Sequence, residues 1–483
     1  MRVLFRVLRV AAALAVVLAL AGPPSLVTGQ ALACTSTGPL LRYVVLFDAQ
    51  TPEQSAERAI QAACGTSTAY YPQIGVGVAT STEPRFAARF GLARAYSAQA
   101  ETLGNPQRAE LAGPVVPLTA ARLPAVAQAL GTDRSAEQWD MEMIRAPQAR
   151  AINPGRPEVL VAVLDSGVDA THPDLAAAVD PTRSAGCLSG KPDRSPAAWS
   201  PSTSVHGTHV AGTIAASDDG RGITGVAPRV RLASVKVVDD DGFIYPEYAV
   251  CGFMWAASQQ ARVANNSYSL DPWVLTCSDV PGQAVAHEAV RRAVHYATVQ
   301  GVLSIAAAGN ERTDLANPGQ DLRSPDNAPH PQPRPVDDDC DVLPAELPGV
   351  VAVSAVGAQR VKSEYSSYGL GVVIVTAPGG DRGQPSRQGS SGCVLSSVPG
   401  GYGDACGTSM AAPHVSGVAA LLASARPGAD PEELTTLLVR YADPLPCPGP
   451  ADDPAAACTG GGGNGFYGHG LVDALAAVSA SRD

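Results

Sequence analysis

Hydrophobic and polar positions divide this chain into two unlike regions. Between residues 41 and 90 the apolar runs are short and their period keeps changing. Tyr43-Val-Val-Leu-Phe47 reads as a strand, and Thr51 to Ala63 as a helix capped by Thr51 with Pro52 in its first turn. Ile74 to Thr80 reads as a second strand and Glu83 to Phe90 as a short helix, a β-α-β-α order. Leu103 to Arg134 is rich in Pro and Ala and reads as a linker. Beyond it the runs become more uniformly apolar. Val159 to Leu164 and Gly301 to Ala308 have the look of buried strands. Two small-residue stretches, opening at His206 and at Ser409, read as buried helices. Buried strands interleaved with such helices point to an α/β fold.

Chemistry-bearing residues stand at the ends of these elements. The strand Val159 to Leu164 runs into Asp165-Ser-Gly, followed by His172-Pro-Asp-Leu175. His206-Gly-Thr-His-Val-Ala-Gly212 opens one helix, and Gly309-Asn310 ends the later strand. Gly407-Thr-Ser-Met-Ala-Ala-Pro-His414 opens the other helix after a turn-rich segment, Val398 to Asp404. Ends of parallel strands are where α/β proteins place functional groups. A serine at a helix N-terminus meets free N–H groups and a dipole that favours negative charge, as a nucleophile passing through an oxyanion requires. His206 and His209 are three apart and could share a metal, but the His-Glu-x-x-His pattern is missing. Ser409 sits in Gly-Thr-Ser-Met-Ala, not in the Gly-x-Ser-x-Gly of the α/β-hydrolases.

In chain order the residues run Asp165, His206, Asn310, Ser409, and Asp-His-Ser is the triad order of subtilisin. Over residues 137 to 479 the chain thus resembles the subtilisin-like serine proteases (subtilases, peptidase family S8). The resemblance implies a central, mostly parallel sheet flanked by helices. It implies Ser409 as nucleophile, His206 as its base, Asp165 as the group orienting the imidazole, and Asn310 as an oxyanion donor beside the Ser409 N–H. Val263-Ala-Asn-Asn-Ser-Tyr-Ser269 resembles the edge strand that pairs with substrate, making Ser267, Tyr268 and Ser269 substrate-binding candidates. Ser269 stands where the family carries glycine and would crowd the pocket for the residue before the cut bond. No cofactor is needed for this chemistry. A structural calcium of the kind many subtilases bind would fall on Asp174 and Asp219, with Arg221 in the same loop opposing it. A catalytically silent relative acting as a binding or chaperone-like protein is the alternative.

The flanking segments suit an exported zymogen. Residues 1–33 resemble a signal peptide, with Arg2, Arg6 and Arg9, the apolar run Val10 to Ala21, and Ala31-Leu-Ala33 as cleavage site. Cys34 directly after it raises a lipoprotein alternative. No later stretch is apolar enough to span a membrane, and no C-terminal anchor follows. Residues 34–135 resemble the small ferredoxin-like propeptide of secreted subtilases with its linker, leaving 136–483 as catalytic domain. Cleavage is expected between about 100 and 137, near Glu137-Gln-Trp-Asp-Met-Glu-Met-Ile-Arg-Ala146.

Ten cysteines behind a signal peptide favour disulfides. Cys393 and Cys406 flank a hairpin turn at Pro399-Gly400, and Cys447 and Cys458 bracket a loop. Cys187 with Cys251, Cys277 with Cys340 and Cys34 with Cys64 are further candidate pairs, the connectivity staying open. Residues 1–135 carry 11 of the 34 basic and 7 of the 45 acidic side chains, so the rest carries 23 against 38, a formal net charge of −15. Such a surface disfavours nucleic acid and anionic membranes. Protein or peptide substrates and the chain's own propeptide are the expected partners of a monomer. Only three lysines, with abundant alanine, suggest a GC-rich genome of the high-GC Gram-positive type. Leu315 to Leu347, rich in Pro and Asp, is expected to lack regular structure and to overhang the cleft after Asn310.

Overall fold

Strand β1 (Leu41–Leu46) is buried on both faces, and its alternating side chains go to two different places. Tyr43, Val45 and Phe47 pack with Ala56 and Ile60 of the helix Glu53–Ala62 and with Phe86 and Phe90 of the helix Phe86–Phe90. Val44 and Leu46 instead join a cluster with the helices Pro246–Ser258 and Gln283–Val299. With β2 (Thr66–Tyr71), β3 (Val76–Ser81) and β4 (Ala95–Tyr96), β1 forms an antiparallel sheet of order β2-β3-β1-β4. This is the β-α-β-β-α-β arrangement of ferredoxin-like modules. The computed structural model describes residues 34, 36–103, 131–328, 331–386, 391–448, 458 and 463–479. The expected signal peptide and most of the expected linker lie outside them. The described residues from 36 onward belong to one compact unit.

Two expectations for this module need correction. The strand β2 was not expected; it is half-exposed and interrupted by a bulge at Ser67/Ala69, which blurs its period. Thr51 does not cap the first helix. Pro52 holds the cap position, and the Thr51 hydroxyl donates to the Asp48 carbonyl in the preceding turn (2.7 Å).

The larger part is built on a seven-stranded parallel sheet. Its order is Val375–Pro378, Val350–Val356, Leu303–Ala307, β8 (Val263–Asn266), β5 (Leu160–Asp165), β7 (Arg231–Lys236) and β6 (Ala185–Gly186). All pairings are parallel. Both faces are covered, which explains why these strands read as continuous apolar runs. Val161 and Val163 face the helices His206–Ala215, Thr408–Ala425 and Pro431–Tyr441. Leu160, Ala162 and Leu164 face the helices Pro246–Ser258 and Gln283–Val299. The N-terminal sheet lies over this second helix layer. There Arg292 Nη1 donates to the carbonyls of Phe47 (2.8 Å) and Ile74 (3.1 Å), and the Tyr71 hydroxyl to Gly190 (2.8 Å).

Disulfides join Cys393–Cys406 and Cys447–Cys458, as their placement around a turn and a loop suggested, and Cys187–Cys251 and Cys277–Cys340, both among the further candidate pairs; Cys34 and Cys64 are disulfide-bonded as well. The Cys393–Cys406 bridge closes an antiparallel hairpin, Val394–Val398 with Gly401–Ala405. Among the described residues no helix is long and apolar enough to cross a membrane. The segment 315–347 is more ordered than expected. Gln320–Asp321 pairs with Arg334–Pro335, and Cys340–Asp341 with Thr276–Cys277. It stands beside the candidate substrate strand, with the Leu270 N–H donating to the Leu343 carbonyl (3.0 Å).

Candidate active site

Asp165 ends β5 at the C-terminal edge of the sheet, and its side chain is 1% exposed. The helix opened by His206 starts directly against that strand end. Gly207 makes the approach feasible: a Cβ there would lie 2.5 Å from the Gly167 carbonyl oxygen and 3.1 Å from Asp165 Cβ. His206 Nδ1 consequently sits 2.8 and 3.0 Å from the two Asp165 carboxylate oxygens, with the ring 20% exposed. Burial disfavours the imidazolium, but the charge and hydrogen bond of Asp165 outweigh it, and the His206 pKa lies above its usual value.

Ser409 lies in the first turn of the helix Thr408–Ala425, so its N–H is one of the four without an intrahelical partner. Pro413 in the same helix has no N–H to give the carbonyl four residues back, which is that of Ser409. Ser267 fills the gap: its hydroxyl donates to the Ser409 carbonyl (2.9 Å), while the Ser409 hydroxyl donates to the Ser267 carbonyl (3.0 Å). Asn310 follows the strand Leu303–Ala307. Its Oδ1 accepts from the N–H and the hydroxyl of Thr408, both at 2.9 Å, which orients the amide beside Gly407 and Ser409.

Asp165 is thus bonded to His206, Ser409 to Ser267, and Asn310 to Thr408 next to Ser409, and the helices opened by His206 and by Thr408 pack against each other. Tyr268 is buried and spends its hydroxyl on Asn266 Oδ1 (3.1 Å), while Ser269 is half-buried. With Asp165, Ser166, Ser204, His206, Val238, Gly242, Ile244 and Ser267, Tyr268 lines a recess of only about 20 Å³ beside the imidazole.

A model of the subtilase family matches residues 156–470. The chain belongs to the subtilase family. It is 33% identical over 334 residues to fervidolysin of Fervidobacterium pennivorans, across 65% of this chain and 42% of fervidolysin, so it spans less than half of that relative. To subtilisin E of Bacillus subtilis it is 31% identical over 343 residues, across 70% of this chain and 71% of the relative. An epidermin leader peptide processing serine protease from Staphylococcus aureus shares the fold, with a TM-score of 0.66 and 19% identity over 92% of this chain and 99% of that one. A lanthipeptide protease gives 0.55 and 26%, over 73% and 99%. The family and its relatives make this subtilase a serine-type endopeptidase.

His209 and His414 are tied into the surrounding structure. His209 Nε2 faces the Val394 and Gly403 carbonyls at 3.1 Å, tying the histidine helix to the disulfide-closed hairpin, and burial lowers its pKa to about 3. His414 bonds both near and far along the chain. Its Nδ1 meets the Met410 carbonyl (2.8 Å), and its Nε2 meets Asp140 (2.9 Å), in the helix Trp139–Met143. The calcium expectation does not fit these residues. Asp174 gives one oxygen to the Tyr402 hydroxyl (3.0 Å) and the other to the Ile223 N–H (3.1 Å), and Asp219 accepts from the Arg221 N–H (3.0 Å). Protein donors hold both oxygens of Asp174 and one of Asp219, where a calcium site needs converging free oxygens.

Sequence reasoning overlooked the polar network beneath the site. Asn265 Nδ2 donates to the Ser267 hydroxyl oxygen (2.9 Å), and Asn265 Oδ1 accepts from Ser416 (2.8 Å). The signal was there: two adjacent asparagines inside a buried strand, where that residue is depleted.

Proposed function

We propose that this subtilase cleaves peptide bonds through an acyl-enzyme, with Ser409 as nucleophile, His206 as general base and Asp165 orienting the imidazole. The Asn310 amide and the Ser409 N–H are the oxyanion donors. The reading rests most on one observation: His206 Nδ1 is bonded to a buried Asp165 at 2.8 Å, and the helix that His206 opens packs against the buried helix whose first turn carries Ser409. In this mechanism Ser409 Oγ attacks the carbonyl and its proton passes to His206 Nε2, which returns it to the leaving amine. Water then repeats the sequence on the acyl-enzyme. His206 must be neutral to start, so activity rises with pH through a value above 6.5, its ordinary pKa. Before substrate arrives the Ser409 hydroxyl is engaged by the Ser267 carbonyl. A substrate N–H pairing with that carbonyl would displace the hydroxyl and free it to turn toward His206.

In our reading the enzyme is an exported, monomeric zymogen acting on proteins or peptides, and residues 34–135 are its propeptide and linker. The seating of the N-terminal sheet supports this, as does the grip on its last segment. There Trp273 Nε1 donates to the Tyr96 hydroxyl (2.7 Å) and Asn327 Nδ2 to the Ala98 carbonyl (3.1 Å). Complete disulfide pairing of the described cysteines supports export. The half-buried Ser269 supports a bias against large aromatic side chains before the cut bond.

Expression of the full chain beside its Ser409→Ala variant tests self-processing. The wild type should shed its N-terminal part and the variant retain it. Identical shedding by both would mean that another protease cuts the chain.

A further inference from the structure

Asn310 sits in a turn that does not hold itself. Gly309 and Arg312 on either side of Asn310-Glu311 have left-handed backbone, with φ of +101° and +58°. For arginine this is a conformation that Cβ-bearing residues avoid. The flanks are held from outside, the Ser367 N–H donating to the Gly309 carbonyl and the Arg312 N–H to the Tyr365 carbonyl (both 3.0 Å), and the Asn310 N–H between them is held by the side chain of Glu311, folded back beneath the turn. Its Oε2 accepts the Asn310 N–H at 2.7 Å and fills the space over Gly309, where a Cβ would lie 2.7 Å from that oxygen. Its other oxygen, Oε1, is bonded by the guanidinium of Arg323. The Glu311 side chain is only 17% exposed. Burial raises its pKa, against the opposing pull of Arg323 and the backbone N–H groups.

Arg323 belongs to the segment 315–347, and that segment is firmly anchored. Asp321 accepts from the N–H groups of Arg323 (3.0 Å) and Ser324 (3.1 Å) and pairs with Arg334 (3.0 Å). Cys340 ties the segment to Cys277. A continuous path of charged and hydrogen-bonded groups thus leads from the insertion to the backbone of Asn310.

We propose that Arg323 is a positioning residue for the oxyanion site: through the Glu311 carboxylate it fixes the Asn310 backbone, and with it the amide that faces Ser409. This rests on the reading of Asn310 as an oxyanion donor and gives the insertion a part in catalysis. A charged carboxylate is a stronger acceptor than a neutral one. Without Arg323 the half-enclosed Glu311 would take up a proton or turn to water, and the Asn310 N–H would lose its anchor. Thr408 would still hold the amide oxygen, so the donor would be misplaced, not lost. Oxyanion donors act through placement, and misplacement of about 1 Å can cost up to about 100-fold.

The test is a double-mutant cycle on the processed enzyme with Arg323→Ala, Asn310→Ala and the combination, alongside Arg323→Lys and Glu311→Gln. An alanine-rich peptide p-nitroanilide reports kcat and KM, a fluorophosphonate reports the rate of Ser409 modification, and melting temperature reports folding. Asn310→Ala should lower kcat about 100- to 1,000-fold, the range for losing one such donor. Arg323→Ala should lower kcat and the modification rate about 10-fold with KM within about twofold, as expected for partial misplacement. Arg323→Lys should recover most of the loss. Glu311→Gln keeps the shape and removes the charge, and it should reproduce the loss even if Arg323→Ala fails to fold. In the Asn310→Ala background, Arg323→Ala should cost nothing further. Equal losses in both backgrounds, or a change confined to KM, would overturn the proposal. An Asn310→Ala enzyme of normal kcat would instead remove the oxyanion reading beneath it.

Discussion

Strands β1 and β5 are both buried on two faces, yet they are buried by different kinds of neighbour. Val161 and Val163 of β5 face one helix layer, and Leu160 and Leu164 face the other. β1 has its own helices on one side only. On the other, Val44 (1% exposed) and Leu46 (8% exposed) rest on helices of the catalytic part. Separation of the N-terminal module would expose that second face to water, along with Val76 and Tyr96. A face that is apolar when docked and solvent-facing when released suits a transient partner. The catalytic sheet has no such face.

The largest expected effects separate the two strands. Val163→Asp buries a charge in the catalytic core at a cost of several kcal/mol, comparable with the whole margin of stability. No soluble folded chain should result, as circular dichroism would show. Leu46→Asp should instead leave a foldable catalytic part that no longer retains its module on gel filtration. The milder Leu46→Ala removes about 2 kcal/mol of burial, roughly a 30-fold weaker association. If both strands responded alike, the two-part description would be wrong.

Acidity sharpens the same comparison. Glu247, in the first turn of the helix Pro246–Ser258, lies under the module, with one carboxylate oxygen unpartnered. Burial raises its pKa from 4.5 to about 7, Arg42 of β1 partly opposing. A carboxyl with a raised docked pKa costs nothing below pH 4.5; the penalty grows as pH rises and levels off above about 7. Module retention should therefore weaken on the order of 10- to 100-fold between pH 5 and 8, and Glu247→Gln should flatten the profile. A profile unchanged by that substitution would locate the pH dependence elsewhere. The smallest effect concerns Tyr402. Tyr402→Phe removes its bond to Asp174 and should cost about 1 kcal/mol, seen as a lower melting temperature with the module retained. Chelator should leave the wild-type melting temperature unchanged.

The catalytic part was more legible in the sequence than the module, for physical reasons. A sheet covered on both faces yields continuous apolar runs, two of which lead to Asp165 and Asn310, and two small-residue helices open at His206 and next to Ser409. The module's β2 is half-exposed and bulged, so no period marks it. Ser267 was legible as part of the substrate strand, but its bond to the Ser409 carbonyl was not. That bond depends on an acceptor freed by Pro413, far along the chain. The pairing of Glu311 with Arg323 was hidden likewise, because the intervening turn sets it. The His414–Asp140 contact joins residues 274 positions apart, and no local pattern announces it.

The central claim is that Ser409 is the nucleophile activated by His206 and Asp165. Labelling of the processed enzyme by a fluorophosphonate, followed by peptide mapping, tests it most directly. The adduct should lie on Ser409, vanish in Ser409→Ala, and form far more slowly in His206→Ala at an unchanged melting temperature. Labelling of Ser409→Ala at the wild-type rate would contradict the account.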